Sequence, residues 1–236
     1  MNPAPEAAMG QCIALLGAEC TGKSTLAQAL CAHLQAHTDL RCTVVDEHLR
    51  SWCQAQGRTP QPQEQVQIAR MQAQRIEAAC QNHDVVLADT TAYMTALYSE
   101  LIFDDSTLWP WALTQERQYP QRLLLTPDLP WQADGIQRDG PEARRAADRL
   151  LCQRLRQHGL SYARIGGSQQ QRLDQALRAL RPWLNSLGAA TSPDKPQASG
   201  LFSRLLSQDA LAQRPWRCEL CDDPSCEQAS WQQRHR

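Results

Sequence analysis

The sequence predicts an α/β domain in which a parallel sheet of about five strands lies between two layers of helices. Three observations predict it. Short apolar runs of strand length alternate with longer segments of helical period. The short runs are apolar on both faces, as strands of a helix-covered parallel sheet are. The first of them ends in a Gly-rich turn, GAECTGKST at 17–25, which opens directly into a helical pattern.

Taken in order, QCIALLG at 11–17 is a buried strand ending in glycine. The segment 22–37 is a helix, with Leu26, Leu30 and Leu34 on one face at four-residue spacing. RCTVVDE at 41–47 is a β-branched strand closing on two acids, followed by a short helix that ends at Gly57. RTPQP is a loop, and 63–82 is a helix with Val66, Ala69, Ala73, Ile76 and Cys80 as its apolar stripe. DVVLADT at 84–90 is a strand ending in an acid. Residues 91–119 are mostly helical, with Pro110 as an interruption. A strand in 121–131 runs into a Pro-bounded loop, a charged helix spans 141–159, and SYARIGG at 161–167 is the last strand. The final helix, 168–184, carries Leu173, Leu177, Leu180 and Leu184 as its stripe.

Composition bounds the function. The 236 residues are 42% hydrophobic with a net charge of -1, so a sizeable core is available and no basic stripe supports nucleic-acid binding. The first ten residues lack the basic and apolar regions of a signal peptide, and no run approaches the ~18 apolar residues of a spanning helix. A cytoplasmic protein with no membrane or nucleic-acid partner is expected. Seven of the ten cysteines are scattered without framework spacing and read as reduced and mostly buried. The expected organisation is a disordered N-terminus at 1–10, a domain at 11–187, a small, polar, Pro-containing linker at 188–215 and a Cys-rich tail at 216–236.

Gly17, Gly22, Lys23 and Ser24 fit G-x-x-x-x-G-K-S/T in the required strand–loop–helix setting. Glycines let successive N–H groups turn inward on a phosphate, and the helix N-terminus adds its positive dipole end. The cradle therefore comprises Gly17, Ala18, Glu19, Cys20, Thr21, Gly22, Lys23, Ser24 and Thr25, with ATP as the expected nucleotide. Lys23 reaches the β- and γ-phosphates, and the Ser24 hydroxyl ligates Mg²⁺. No N-K-x-D guanine-reading motif is visible, and the length suits a small kinase better than a motor. The fold class is thus a P-loop three-layer α/β/α sandwich.

The acids at strand ends supply the rest. Asp89 is placed to hold Mg²⁺ with Ser24. Asp46 and Glu47 end the strand at 41–47, where the ligand crevice of a parallel sheet opens. Either could orient an acceptor hydroxyl, while Asp46 reads equally well as a helix cap. The loop 130–145 is rich in Gly, Pro and charge, and Arg138, Arg144 or Arg145 could close over transferring phosphate as a lid.

GAECTGKST, DEHLR, QIARMQAQ, LADTT and LPWQADGIQRDG together resemble the ribosylnicotinamide kinase domain of bacterial NadR-type proteins, over about residues 11–184. The phosphate loop is common to many families. The Glu47/Arg50 pair, the I-A-x-x-x-A-Q ending in Gln74, Asp89 with Thr90, and P-W-x-A-D-G are more specific. The resemblance implies a P-loop kinase acting on a small nucleoside-like substrate, with nicotinamide riboside as the leading candidate. It assigns Asp134 and Arg138 to the lid, although the chain has Gln137 where the family often has arginine. Neither adenylyl transfer nor repressor activity is expected. Two rivals remain: an NTP-hydrolysing switch acting through a protein partner, and a kinase for another small substrate.

The tail lies outside the resemblance. Cys218 and Cys221 make a C-x2-C, Cys226 follows after four residues, and His235 after eight more. Three thiolates and an imidazole would complete a tetrahedral zinc site. A flexible tail with reduced thiols and a redox pair are the other readings.

Overall fold

The computed structural model describes residues 9–131 and 140–188. The strands are β1 (Gln11–Leu16), β2 (Cys42–Val45), β3 (Val85–Asp89), β4 (Gln121–Leu125) and β5 (Ala163–Ile165). The helices are α1 (Lys23–His37), α2 (His48–Gln56), α3 (Gln65–Cys80), α4 (Ala92–Phe103), α5 (Trp109–Arg117), α6 (Pro141–Gln157) and α7 (Gln169–Ser186), with a 3₁₀ turn at Pro62–Glu64. All five strands pair in parallel in the order β2-β3-β1-β4-β5. This is the predicted fold class.

The alternation of side chains along each strand builds two cores. Cys12, Ala14 and Leu16 point to one face with Val86, Ala88 and Leu124, and are covered by α3, α4, α5 and α6. Ile13 and Leu15 point to the other with Leu87, Leu123 and Ile165, and are covered by α1 and α7. Small residues set the closest approach: Ala88, Ala92, Ala96 and Ala112 are all fully buried or nearly so. The chain leaves β1 in one direction with α1 on one face, then returns with its helices on the other. That keeps every crossover in the same hand. The reversal falls at β1, so the carboxyl ends of β1 and β3 open on the ligand crevice.

Two elements differ from the sequence reading. Pro110 does not interrupt a helix; it sits in the first turn of α5, where a missing N–H costs nothing. The break lies earlier, at Asp104, whose left-handed backbone caps α4. On α7 the buried stripe is Arg172, Ala176, Leu180 and Leu184, with Leu173 and Leu177 only half-buried beside it. An arginine, not a leucine, leads the stripe.

The seven cysteines of the described residues form no disulfides, and five of them are buried. Burial pushes the Cys42 thiol up to about 12 and raises Cys12, Cys31 and Cys80 as well. The residues beyond Gly188, expected to form a linker, and the cluster Cys218, Cys221, Cys226 and His235 lie outside the described residues.

Candidate functional site

The cradle is built at the end of β1. Gly17 has φ 150, and a Cβ there would meet the Leu125 carbonyl at 2.9 Å. Gly22 has φ 79 and caps α1, a left-handed position that glycine adopts without strain. Thr21 Oγ1 donates to the Ala18 carbonyl at 2.8 Å and pulls the turn closed. Lys23 is only 8% exposed, and its ammonium donates to the carbonyls of Gly17 (2.8 Å) and Ala18 (3.0 Å). The cation is therefore held at the mouth of the loop, beside the free amides of α1's first turn. Glu19 and Cys20 are half-buried, and Thr25 is exposed.

Ser24 and Asp89 meet across the loop: the serine hydroxyl donates to Asp89 Oδ2 at 2.5 Å. Asp89 is 2% exposed, and its second oxygen, Oδ1, is buried with no hydrogen-bond partner. An orphaned carboxylate oxygen beside a hydroxyl is a donor set that fits Mg²⁺. That ion takes one or two protein oxygens and fills its remaining positions with water and phosphate. Among the described residues no group of three or more His, Cys, Asp or Glu forms an all-protein metal cage.

The segment after Asp89 is strained and anchored. Thr90 has φ 85, an outlier for a β-branched residue. Gln72 donates to its carbonyl at 3.2 Å and accepts from the His48 amide at 2.7 Å, tying β3 to the start of α2. Thr91 caps α4 and donates to the buried Glu116 at 2.6 Å. Glu116 also accepts from Arg122 Nε at 3.1 Å, and the Arg122 guanidinium donates to the Glu116 carbonyl. Burial pushes the Glu116 carboxyl up to about 7, against the hydrogen bond from Thr91 and the charge of Arg122.

Next to this segment a cleft opens between the start of α2, α3 and α4, with Glu47, Ile68, Gln72, Thr90, Met94 and Tyr98 in its walls. Glu47 occupies the cap position of α2 but makes no capping bond; its carboxylate accepts from Arg50 Nε at 2.7 Å. Asp46, its alternative, is exposed and does not line the cleft. Gln74 is exposed, and the glutamine of that helix that enters the cleft is Gln72.

At the lid, Arg144 is buried in the first turn of α6 and donates to the Leu129 carbonyl at 2.8 Å. Its Nε is buried without a partner. Leu129 in turn sits against Gly22, its Cδ1 lying 3.2 Å from where a glycine-to-alanine Cβ would be. Arg145 faces outward and pairs with Glu142. Asp134, Gln137 and Arg138 lie outside the described residues.

Sequence reasoning missed Gln72, Glu116, Arg122 and Arg172. Each is a polar residue at a helix or strand position that pattern reading assigns to solvent. The only signal was Arg172's place four residues before Ala176 on the stripe.

A family model described as an AAA domain matches residues 12–172. No curated protein matches the chain. Among solved structures, NadR protein in complex with NR superposes with a TM-score of 0.62 at 18% identity, covering 79% of this chain and 54% of that one. NadR protein in complex with NAD and AMP-PNP gives 0.56 at 17%, covering 72% and 49%. The chain thus spans about half the length of the NadR structures it matches, and at this identity the likeness is one of fold. With the family model covering most of the phosphate-loop domain, the chain belongs to the AAA domain family of P-loop proteins, folded as NadR is.

Proposed function

We propose that this chain is an ATP-dependent kinase that phosphorylates a hydroxyl of a small nucleoside-like acceptor, with nicotinamide riboside as the leading candidate. One observation carries the reading. The Ser24–Asp89 pair, with its orphaned carboxylate oxygen, ends β3, and the next residue, Thr90, lines the cleft that holds Glu47. A phosphoryl donor and an acceptor would be held on either side of a single anchored turn. NadR, the structural neighbour, was solved with NR and with AMP-PNP, which supports the same pairing.

Phosphoryl transfer asks a protein mainly for positioning and charge. The amides from Gly22 onward bind the phosphates, and Lys23 exchanges its two carbonyl partners for phosphate oxygens. Ser24 and Asp89 would hold Mg²⁺, which would supply charge neutralisation during transfer. Glu47 orients the acceptor hydroxyl and accepts its hydrogen bond, with Arg50 holding the carboxylate in place. Ile68 and Met94 give the acceptor's apolar face a dry wall. From the lid, Arg144 has a buried donor, Nε, without a partner; Arg138 remains a second candidate. The test is a nucleoside panel incubated with ATP and scored by mass. A phosphorylated nucleoside supports the reading. Phosphate release with no phosphorylated acceptor would instead favour a hydrolysing switch.

A further inference from the structure

Arg172 is the odd member of its helix face. Ala176, Leu180 and Leu184 continue the same stripe into an apolar core, yet Arg172 is only 2% exposed. Burying a cation costs several kcal/mol unless its donors are satisfied. Here they are spread over three loops. Nε donates to the Gly167 carbonyl at 2.8 Å, Nη1 to the Thr21 carbonyl at 2.7 Å and Nη2 to the Thr126 carbonyl at 3.1 Å. Nη2 also pairs with Asp128, which accepts from the Gly167 amide through its other oxygen. Thr21 follows β1, Thr126 and Asp128 follow β4, and Gly167 follows β5. One guanidinium therefore ties together the loops at the carboxyl ends of three strands.

The Thr21 contact has a directional consequence. A peptide unit is planar, with its C=O and the following N–H on opposite sides. Fixing the Thr21 carbonyl on Arg172 aims the Gly22 N–H the other way, away from the guanidinium. Gly22 caps α1 and begins the row of free amides that receive a phosphate. Gly22 is left-handed and has no side chain to hold it, so its preceding peptide needs an outside anchor.

We propose that Arg172 is a positioning residue for phosphate binding: it sets the Thr21–Gly22 peptide so that the loop's amides are pre-aligned on an anion. This rests on the reading of 17–25 as a nucleotide phosphate cradle. Lysine would not substitute, because one ammonium cannot reach three carbonyls and a carboxylate that lie in a planar fork.

The experiment titrates the full chain with inorganic tripolyphosphate and with ATP, and records thermal stability without ligand. Arg172→Lys is expected to weaken tripolyphosphate by about tenfold or more, the scale of one charged hydrogen bond. The KM for ATP should rise in step while the acceptor KM stays constant. A purely structural arginine would lower the melting temperature and leave affinity per folded molecule unchanged. Tripolyphosphate affinity within about twofold of wild type overturns the proposal. If Arg172→Lys does not fold, Asp128→Asn serves, since Asp128 holds the same guanidinium from a side chain 42% exposed. It should weaken tripolyphosphate measurably, and no change overturns the proposal. Lys23→Ala separates the two levels. Unaltered tripolyphosphate binding in that variant overturns the cradle reading and this inference together. A loss with Lys23→Ala but none with Arg172→Lys or Asp128→Asn overturns this inference alone.

Discussion

Lys23, Asp89, Glu47 and Glu116 each carry a separate prediction. Lys23→Ala should abolish transfer. Because the ammonium also bonds two loop carbonyls in a buried position, the variant should lose about 1–3 kcal/mol of stability without nucleotide, read by denaturant titration. On the roles proposed above, Asp89→Asn and Glu47→Gln should both slow turnover, for different reasons. Asn at 89 removes a charge from the Mg²⁺ donor set, so raising Mg²⁺ should restore part of the rate. Gln at 47 loses the acceptor-orienting carboxylate, a loss of about 10²- to 10⁴-fold that Mg²⁺ should not relieve. Equal responses to Mg²⁺ would show that the roles are misassigned. Glu116 adds a pH signature. Its folded carboxyl is raised from 4.5 to about 7, so the folded state binds the proton more tightly. Its contribution to stability is full below about 4.5 and is lost as pH rises through about 7. Glu116→Gln should flatten the stability–pH curve across that window; an unchanged curve would contradict the assignment.

The elements show what the sequence made legible and what it hid. β1, α1 and the loop between them were readable because their signals are local: an apolar run, two glycines, Lys23 and Ser24 within a few residues. Asp89 was readable for the same reason, as the acid closing an apolar strand. Arg172 was not, because its partner Thr21 lies 151 residues away and periodicity alone placed Leu173 and Leu177 at the centre of the α7 face. Gln74 was named only as the end of a family-like motif, and Gln72 went unremarked because its partners, Thr90 and His48, lie 18 and 24 residues away. Pro110 was read as a break because proline ends some helices and begins others, and the left-handed Asp104 that ends α4 carries no sequence mark. Thr91 joins an element to the site. It caps α4 and bonds Glu116, so Thr91→Val removes a cap and leaves a buried carboxyl short of a donor. The expected cost is about 2–4 kcal/mol, the sum of a cap and a lost buried hydrogen bond. Loss of under about 1 kcal/mol would show that the network does not anchor the turn.

At the scale of the molecule, the order β2-β3-β1-β4-β5 brings three loops to one edge, with the cradle between Asp89 and Arg172 of α7. No helix of the described residues is long and apolar enough to cross a membrane. We propose that the sheet and its helices form a unit complete at α7 and that 188–236 is a linker and tail. Deleting 188–236 should then leave ATP affinity unchanged, and any zinc carried by Cys218, Cys221, Cys226 and His235, close to one equivalent, should disappear with it. Loss of ATP binding on deletion would mean that the tail contributes to the nucleotide site. The central claim, transfer to an acceptor hydroxyl, is tested most directly by stoichiometry. Wild type and Lys23→Ala are incubated with ATP, Mg²⁺ and nicotinamide riboside, and ADP and phosphorylated riboside are counted together. The account predicts ADP and phosphorylated riboside in equal amounts from the wild type and neither from Lys23→Ala. ADP accompanied by free phosphate, with no phosphorylated riboside, would contradict it.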